Sequence, residues 1–295
     1  MINKLSYIKC LFLSAILVVL LIGTVNSQGT DSKRTFTKSD KLYIGINLLP
    51  SMTNIDNKVF VSSAEPGLKG RNSLNFNLDF GYYFSKISGI SIGAGYCSYS
   101  TELTMDSYST KFQTIDSENE TYEMQIKGTS IVENQKLSFF NIPICLNLRL
   151  PVGEKIGFFL TGGISLDIPV TKTFKAEGTF TYDGYYAVYP ILFQDIPAYG
   201  FPSNLNTLTS GNLQIKNLNA TFCASGGAYF NLNEKFQVVV GVSYNKSITS
   251  ISAYTTDPDF RLTSKANELN SFMAGSKEVR LQSLGINIGL KYYFK

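Results

Sequence analysis

The strongest constraint on the fold of this chain is an alternation of apolar with small or polar residues that recurs eight times. The C-terminal stretch, residues 284–295, has apolar side chains at every second position: Leu284, Ile286, Ile288, Leu290, Tyr292 and Phe294. Successive side chains of a β-strand point to opposite faces, so this stretch has one continuous apolar face and one small or polar face. The recurrence of the pattern predicts an all-β chain.

The connections between the alternating segments also follow a pattern. The other seven segments lie at about residues 42–48, 74–84, 90–97, 142–150, 158–168, 220–230 and 236–245. The connections are long and short in turn: short turns lie at 85–89, 151–155 and 231–235, and long polar stretches begin at Pro50, Glu102, Pro169 and Ser250. Strands of about ten residues can cross a bilayer when tilted, and long external loops with short periplasmic turns are typical of outer-membrane barrels. Residues 41–295 are therefore predicted to form an eight-stranded antiparallel up-and-down transmembrane β-barrel with long extracellular loops.

The bilayer requires such a sheet to close on itself, because lipid offers no hydrogen bonds to a free sheet edge. A barrel of eight strands has an interior only wide enough to be filled by side chains. Glycines on the inward faces leave room there for the inward rings of Tyr83, Phe159, Tyr229 and Tyr293. We therefore expect no open pore.

The N-terminal 27 residues predict a cleavable signal peptide. Lys4 and Lys9 precede an apolar run at 10–22, and Val25-Asn26-Ser27 suits signal peptidase. The apolar run is shorter than the roughly 20 residues that a membrane-spanning helix needs. A polar leader, residues 28–40, follows. Export to the outer membrane of a Gram-negative bacterium is the predicted localisation.

Three short motifs resemble a known family. They are the signal peptide that ends before Gln28, the Phe-Asn-Ile-Pro-Ile sequence at 140–144, and the terminal Lys-Tyr-Tyr-Phe at 291–294. Together they resemble the PorT-like outer-membrane β-barrel family of Bacteroidota. The resemblance covers the strands over roughly residues 40–295 but not the long loops. It implies a small porin-like membrane barrel, and it implies no particular activity.

Charged residues on the inward faces are the first candidate site. By the parity of their strands, Asp79, Arg149, Asp167 and Lys291 point into the barrel. One interpretation is a polar relay or a narrow gated path. We favour a structural ion-pair network, because an unpaired buried charge costs several kcal/mol.

An aromatic-rich segment of the third long loop is the second candidate site. Its members are Tyr182, Tyr185, Tyr186, Tyr189, Tyr199 and Phe201. Aromatic residues are enriched at interfaces, so this patch could bind a glycan, a peptide or a partner protein. In the alternative, which we favour, strands extend beyond the membrane and these rings pack on one another.

Other residue types argue against catalysis and cofactors. The chain contains no histidine, which excludes a Ser-His-acid triad and imidazole metal sites. It lacks phosphate-loop and dinucleotide motifs, so no cofactor, no metal and no nucleic-acid partner are predicted. Cys97, Cys145 and Cys223 follow the signal peptide, each on a small or polar face. We interpret them as small fillers, and a bridge between two of them stays open.

The predicted function is that of a non-enzymatic outer-membrane barrel. The barrel would act as a membrane anchor, and the external loops would make binding contacts or envelope and secretion contacts. The expected partners are outer-membrane lipid and a protein or glycan at the loops; the oligomeric state stays open. One alternative is a lipid-modifying barrel enzyme, which needs acid, hydroxyl and amide groups near the external rim. The other is a soluble lipocalin-like carrier, which keeps its apolar side chains inside.

Overall fold

The computed structural model describes residues 42–59, 66–255, 257 and 259–294. The predicted signal peptide at 1–27 and the polar leader at 28–40 lie outside the described residues. Among the described residues, no helix has the length and hydropathy that crossing a membrane requires.

The described chain is dominated by ten antiparallel strands. They are β1 (Leu42–Val59), β2 (Gly67–Tyr83), β3 (Ser88–Ile115), β4 (Thr121–Pro151), β5 (Ile156–Tyr186), β6 (Ile191–Phe193), β7 (Leu205–Asn212), β8 (Asn219–Asn231), β9 (Phe236–Ser247) and β10 (Ser276–Tyr293). Two short 3-10 turns lie at Pro197–Tyr199 and Phe272–Gly275.

Eight of these strands form a closed ring. Each strand pairs with the next in the order β1, β2, β3, β4, β5, β8, β9 and β10. The ring closes where β1 pairs with β10, from Tyr43 opposite Tyr293 to Val59 opposite Ser276. The short strands β6 and β7 pair with β5 outside the ring. The prediction of an eight-stranded antiparallel barrel is confirmed.

The apolar faces of the ring strands point outward. On β4, for example, Leu146 is 62% exposed while the next residue, Asn147, is 3% exposed. The same alternation gives an outward apolar belt at 44–48, 74–84, 90–96, 140–150, 158–168, 222–230, 236–244 and 284–294. A closed ring with such a belt is a transmembrane barrel, because its outer face matches hydrocarbon. The lipocalin-like arrangement, with apolar side chains inside, is not the one adopted.

All three short turns lie at one end of the barrel. They span 84–87, 152–155 and 232–235, and both Leu42 and Tyr293 end at the same level. The turns are tight: the backbone N–H of Ser85 donates to the carbonyl of Ser88 at 3.1 Å, and that of Leu232 donates to Phe236 at 2.9 Å. The prediction that the three short turns lie on the same side of the barrel is confirmed, and the first and last described strand ends lie on that side too.

The predicted strand length of about ten residues is wrong for six of the eight ring strands; β8 and β9, with 13 and 12 residues, come close to it. β3, β4 and β5 are 28, 31 and 31 residues long. β1 continues through Pro50 to Val59, β3 and β4 form one hairpin through the segment predicted to be a polar loop, and β5 continues past Pro169. Beyond the bilayer the outward face meets water, so it carries Thr, Ser, Glu and Lys, and the apolar alternation that marks a span disappears.

Beyond the belt the extended strands continue as what we call the external sheet: residues 98–115, 121–138, 172–186 and 205–212. Its inner face buries a hydrophobic cluster: Leu103, Met105, Tyr108, Met124, Ile126, Ile131, Ala176, Phe180, Tyr182, Tyr186 and Phe201. Leu262, Leu269 and Phe272 of the segment 259–275, here called the cap loop, pack on the same cluster. A second cluster, which includes Ile55, Tyr99, Leu137 and Phe139, fills the adjoining mouth of the barrel.

Candidate functional site: the barrel interior and the external tip

The four charged residues singled out in the sequence all lie on inward faces. Asp79, Asp167 and Lys291 are buried, on β2, β5 and β10, and Arg149 is half-buried near the short-turn end of β4. Asp79 and Lys291 flank Gly45, which pairs with both of them across β1. Asp167 lies farther along the barrel, opposite Asn141 and Asn219.

Asp79, Asp167 and Lys291 are held by neutral groups. Asp79 accepts a hydrogen bond from Nδ2 of Asn47, and Asp167 accepts from Oγ of Ser165 at 2.6 Å and from Oγ1 of Thr221. Nζ of Lys291 lies 4.4 Å from the ring centroid of Tyr43. Within the part of the chain that the structure describes, no ion pair joins Asp79, Asp167 and Lys291 to one another. Amides, hydroxyls and a ring face therefore solvate these three charges.

Aromatic rings close the short-turn end of the interior. Tyr43, Tyr83 and Tyr293 form a buried cluster, in which Tyr43 lies 5.6 Å from each of the other two ring centroids. Cζ of Arg149 lies 4.1 Å from the Tyr83 centroid, and its Nε donates to the carbonyl of Lys86 at 3.1 Å. Gly81 makes this packing possible, because a Cβ there would overlap the Tyr43 ring.

A cavity of about 130 Å³, lined by both apolar and polar groups and here called the polar cavity for its charged and amide side chains, lies within the ring. Its wall includes amide, hydroxyl and thiol side chains together with Asp79, Asp167 and Lys291. The Oδ1 atoms of Asn77, Asn141 and Asn287 are buried and have no hydrogen-bond partner among the described residues. A cavity of this size and polarity can hold several water molecules, each of which needs roughly 10–15 Å³.

The three interior cysteines are free thiols. Cys97 and Cys145 are buried and Cys223 is half-buried. The Sγ atoms of Cys145 and Cys223 lie 3.5 Å apart, and both residues line the polar cavity. Among the described residues, no group of three or more Cys, Asp or Glu side chains is arranged to hold a metal ion.

The predicted aromatic patch is divided between core and surface. Tyr182, Tyr186 and Phe201 are buried in the hydrophobic cluster of the external sheet. Tyr185 is half-buried, and Tyr189 and Tyr199 are exposed.

Stacked rings account for the buried part of that patch. Tyr122 stacks on Tyr186 at 5.0 Å between centroids and meets Phe201 edge-on at 5.7 Å. Phe193 meets Tyr186 edge-on at 5.3 Å. These contacts agree with the interpretation that strands extend beyond the membrane and the rings pack on one another.

A different set of residues forms the outer end of the external sheet, which we call the tip surface. Its exposed side chains, with their exposed fractions, are Ile115 (61%), Val188 (78%), Tyr189 (53%), Ile191 (46%), Leu192 (43%) and Tyr199 (79%). Sequence reasoning identified the tyrosines but missed the aliphatic members. The signal available was the apolar run at 188–193, which stands within a segment predicted to be external.

An acidic turn adjoins the tip surface. Oη of Tyr186 donates to Oδ2 of Asp116 at 2.9 Å, and Oη of Tyr189 donates to Oε1 of Glu120 at 2.9 Å. The backbone N–H of Glu120 and then the Tyr186 hydroxyl lower the pKa of Asp116 below its usual range. Burial, followed by the hydrogen bond to Asp116, raises the pKa of Tyr186 to about 12. The turn at 116–120 therefore places carboxylates beside exposed apolar side chains.

Glu133 joins the cap loop to the external sheet, and sequence reasoning missed it. This buried carboxylate accepts from Oγ of Ser271 at 2.6 Å, from the backbone N–H of Phe272 at 2.8 Å and from Nε2 of Gln135 at 2.7 Å. Burial raises the pKa of Glu133, and the three hydrogen bonds oppose that shift. An acid, a hydroxyl and an amide thus meet outside the belt, but all three are buried and hold a loop in place.

No family model matches this chain, and no curated protein matches it either. Among solved structures, neisserial surface protein A (NspA) is similar at 9% identity, with 86% of this chain and 97% of that chain covered and a TM-score of 0.38. The outer membrane protein OprG from Pseudomonas aeruginosa is similar at 12% identity, with 87% and 97% covered and a TM-score of 0.37. Ail, the attachment invasion locus protein of Yersinia pestis, in complex with the heparin analogue sucrose octasulfate, is similar at 10% identity, with 86% and 99% covered and a TM-score of 0.31. At these values the similarities say nothing about function, and the fold of this chain rests on its own closed ring of strands.

Proposed function

We propose that this chain is a non-enzymatic barrel of a Gram-negative outer membrane that anchors an external sheet and presents the tip surface to a protein partner. The single observation that carries the proposal is the continuation of β3, β4 and β5 far beyond the apolar belt. Their outer end exposes a group of apolar side chains. A contiguous apolar patch in water is unfavourable unless a partner covers it, so such a patch marks an interaction site.

The outward belt supports the membrane part of the proposal. Its side chains would contact lipid, and the tyrosine cluster at the short-turn end gives the barrel no open pore. The predicted signal peptide supports export. The PorT-like resemblance of Bacteroidota remains part of the proposal, and it rests on the short motifs at 140–144 and 291–294.

The chemistry of the tip favours a protein over a glycan as partner. Four of its exposed side chains, Ile115, Val188, Ile191 and Leu192, are aliphatic, whereas sugars are bound mainly by aromatic planes and polar groups. The carboxylates of Asp116, Glu118 and Glu120 border these side chains. A matching surface would therefore combine apolar residues with Lys or Arg.

A catalytic role is not proposed, because the acid, hydroxyl and amide groups that a lipid-modifying barrel needs are buried where lipid cannot contact them. Glu133, Ser271 and Gln135 are buried beneath the cap loop. Asp167, with Ser165 and Thr221, faces the interior. An assay for altered lipid A in cells that produce the protein should detect no modification; a modified lipid would contradict this part of the proposal.

Membrane fractionation tests the anchor. The folded chain should be recovered in the outer-membrane fraction and should migrate differently on a gel before and after boiling. A chain that is freely soluble without detergent, and whose mobility does not change on heating, would contradict the membrane assignment.

Photo-crosslinking in intact cells tests the tip. A photoreactive amino acid at Tyr199 should yield a discrete crosslinked protein, whereas one at Leu208, which is 60% exposed on β7 away from the tip, should not. Val188→Ser combined with Ile191→Ser should abolish the crosslink at 199. Purified partner should bind more weakly as salt rises, because the acidic turn contributes to binding. Equal crosslinking at both positions, or binding of glycans alone, would contradict the proposal.

A further inference from the structure

Two cysteines meet inside the barrel across an intervening strand. Gly163 on β5 is paired with Cys145 on β4 and with Cys223 on β8. The two side chains converge over this glycine, which brings their Sγ atoms to 3.5 Å.

Gly163 is what allows the two sulfurs to approach. A Cβ at that position would lie 2.9 Å from Sγ of Cys145 and would overlap the carbonyl oxygen of Ile144. The neighbouring Gly162 has nothing within 4 Å of the same ideal position. The dithiol arrangement therefore depends on a glycine at 163.

Disulfide formation is disfavoured by the sheet that holds the pair. Adjacent strands lie about 4.8 Å apart, so Cα atoms on β4 and β8, with β5 between them, are separated by roughly 9–10 Å before curvature brings them slightly closer. A disulfide needs a Cα separation below about 7 Å. Continuous pairing of β5 with both neighbours opposes the strand movement that a bridge would require.

A bridging metal ion suits the same geometry. Two zinc–sulfur bonds of about 2.3 Å at a tetrahedral angle place the sulfurs roughly 3.8 Å apart, close to the 3.5 Å observed between these sulfurs. Thiolates select soft ions such as Zn²⁺ and Cu⁺. The charged residues lining the adjoining cavity are Asp79, Asp167 and Lys291, so carboxylates outnumber the ammonium group and favour a cation there.

We propose that Cys145 and Cys223 form a two-thiolate site for a soft metal ion in the wall of the barrel cavity. A divalent ion bound there displaces two protons, one from each thiol, and no electron is transferred. Thr161 and Ser165, on either side of Gly163 along the inward face of β5, line the same cavity. Their hydroxyls donate to Asn147 and to Asp167, so cavity water would complete the coordination, as it does in open zinc sites. The site is independent of the tip surface and of its partner.

Cadmium binding tests the proposal. Cys10 lies in the predicted signal peptide, and replacing it by serine leaves the three interior cysteines. The Cys10→Ser chain is folded into detergent with Cd²⁺ present, because both ends of the interior are closed by side chains. Ultraviolet absorption of the cadmium–thiolate bond should show one ion per barrel. Cys145→Ser and Cys223→Ser should each abolish the absorption, whereas Cys97→Ser should retain it. Cd²⁺ should also protect Cys145 and Cys223, but not Cys97, from alkylation.

The heat-dependent gel shift establishes that each variant is folded, so a loss of cadmium cannot be mistaken for a loss of the barrel. Absorption that persists when both Cys145 and Cys223 are serine would overturn the proposal, as would a folded barrel that binds no Cd²⁺. A 145–223 disulfide found by mass spectrometry in protein prepared without reductant would also overturn it. Mg²⁺, a hard ion, should not compete with Cd²⁺.

Discussion

Gly162 and Gly163 are neighbours on β5, yet their surroundings are opposite. Gly162 faces outward, with nothing within 4 Å of an added Cβ, whereas Gly163 faces inward, where a Cβ would overlap Ile144 and crowd Cys145. A barrel of eight strands has little interior volume. Glycine is thus required on one face of this strand and is replaceable on the other.

Alanine at each of these positions measures that difference. Gly163→Ala should destabilise the folded barrel by about 1–3 kcal/mol through overpacking, and Gly162→Ala should change the stability by less than about 0.5 kcal/mol. Urea titration of the heat-shifted gel band gives both values. Equal effects at the two positions would contradict the account of inward glycines.

Glu133 gives the cap loop a pH dependence whose sign follows from its raised pKa. A carboxyl whose pKa is higher in the docked state than in the undocked state stabilises docking fully at pH values below its ordinary pKa. That stabilisation is lost as pH rises through the docked-state pKa. Protease cleavage within the cap loop should therefore be faster at pH 8 than at pH 5, relative to a denatured substrate.

Two variants control this pH effect. Glu133→Gln removes the titratable group and should abolish the pH dependence of cleavage. Its NH2 group cannot accept a hydrogen bond, whereas both oxygens of Glu133 do, so cleavage should also be faster than in the wild-type chain at pH 5. Glu177→Gln changes an exposed acid on β5 and should leave the pH dependence as in the wild-type chain. Persistent pH dependence in Glu133→Gln would assign the effect to another group.

At the scale of elements, the external sheet has a hydrophobic core distinct from the barrel interior. Phe180 on β5 lies at the centre of that core, fully buried and packed against Ile131 and Tyr182. Within the belt, the ring strands are held together by backbone hydrogen bonds between neighbouring strands. The two regions are therefore expected to differ in their response to core mutations.

Phe180→Ala should cost about 3–5 kcal/mol of external-sheet stability through the cavity it leaves. The expected readout is faster proteolysis of residues 172–212 with an unchanged heat-dependent gel shift of the barrel. Leu208→Ala, on the exposed face of β7, is the matched control and should have little effect. Loss of the gel shift in Phe180→Ala would mean that the external sheet and the barrel fold as one unit.

The sequence predicted the membrane-spanning strands well, because the two faces of each such strand meet very different surroundings. Lipid on one side and a crowded interior on the other produce the strict alternation of segments such as 74–84 and 284–294. Outside the bilayer, Thr104 and Glu102 face water while Leu103 is buried, so the pattern is weaker and the segment resembles a loop. The full length of β3, β4 and β5 could therefore not be predicted from the sequence pattern.

The candidate sites were harder to predict because they depend on register between distant strands. Parity alone places Asp79, Asp167 and Lys291 inside, but it cannot say that amides and hydroxyls bind them. The approach of Cys145 to Cys223 depends on both strands pairing with Gly163. Glu133 stands in an acidic segment that looks solvated, and only the cap loop buries it.

At the scale of the whole molecule, the apolar belt should dominate stability in lipid. Leu146 points outward near the middle of the β4 part of the belt. Leu146→Arg should destabilise the barrel in vesicles by about 2–4 kcal/mol, because the guanidinium must lie in hydrocarbon. Leu208→Arg, equally exposed but outside the belt, should be nearly neutral. Reversible urea unfolding in vesicles measures both, and equal costs would contradict the position of the belt.

The extended strands carry the tip surface far from the membrane. Residues 121–138 of β4 lie beyond the belt, and at about 3.3 Å per residue they extend roughly 55 Å along the strand. The tip therefore has clearance above the headgroups that a barrel with ordinary turns would lack. Because the side-chain period is two, a single-residue insertion in the external sheet turns the buried face toward the solvent unless a β-bulge absorbs it. The register shift between Thr129 and Val132 of β4, against β5, is such a bulge, so changes in strand length should occur in steps of two or at bulges.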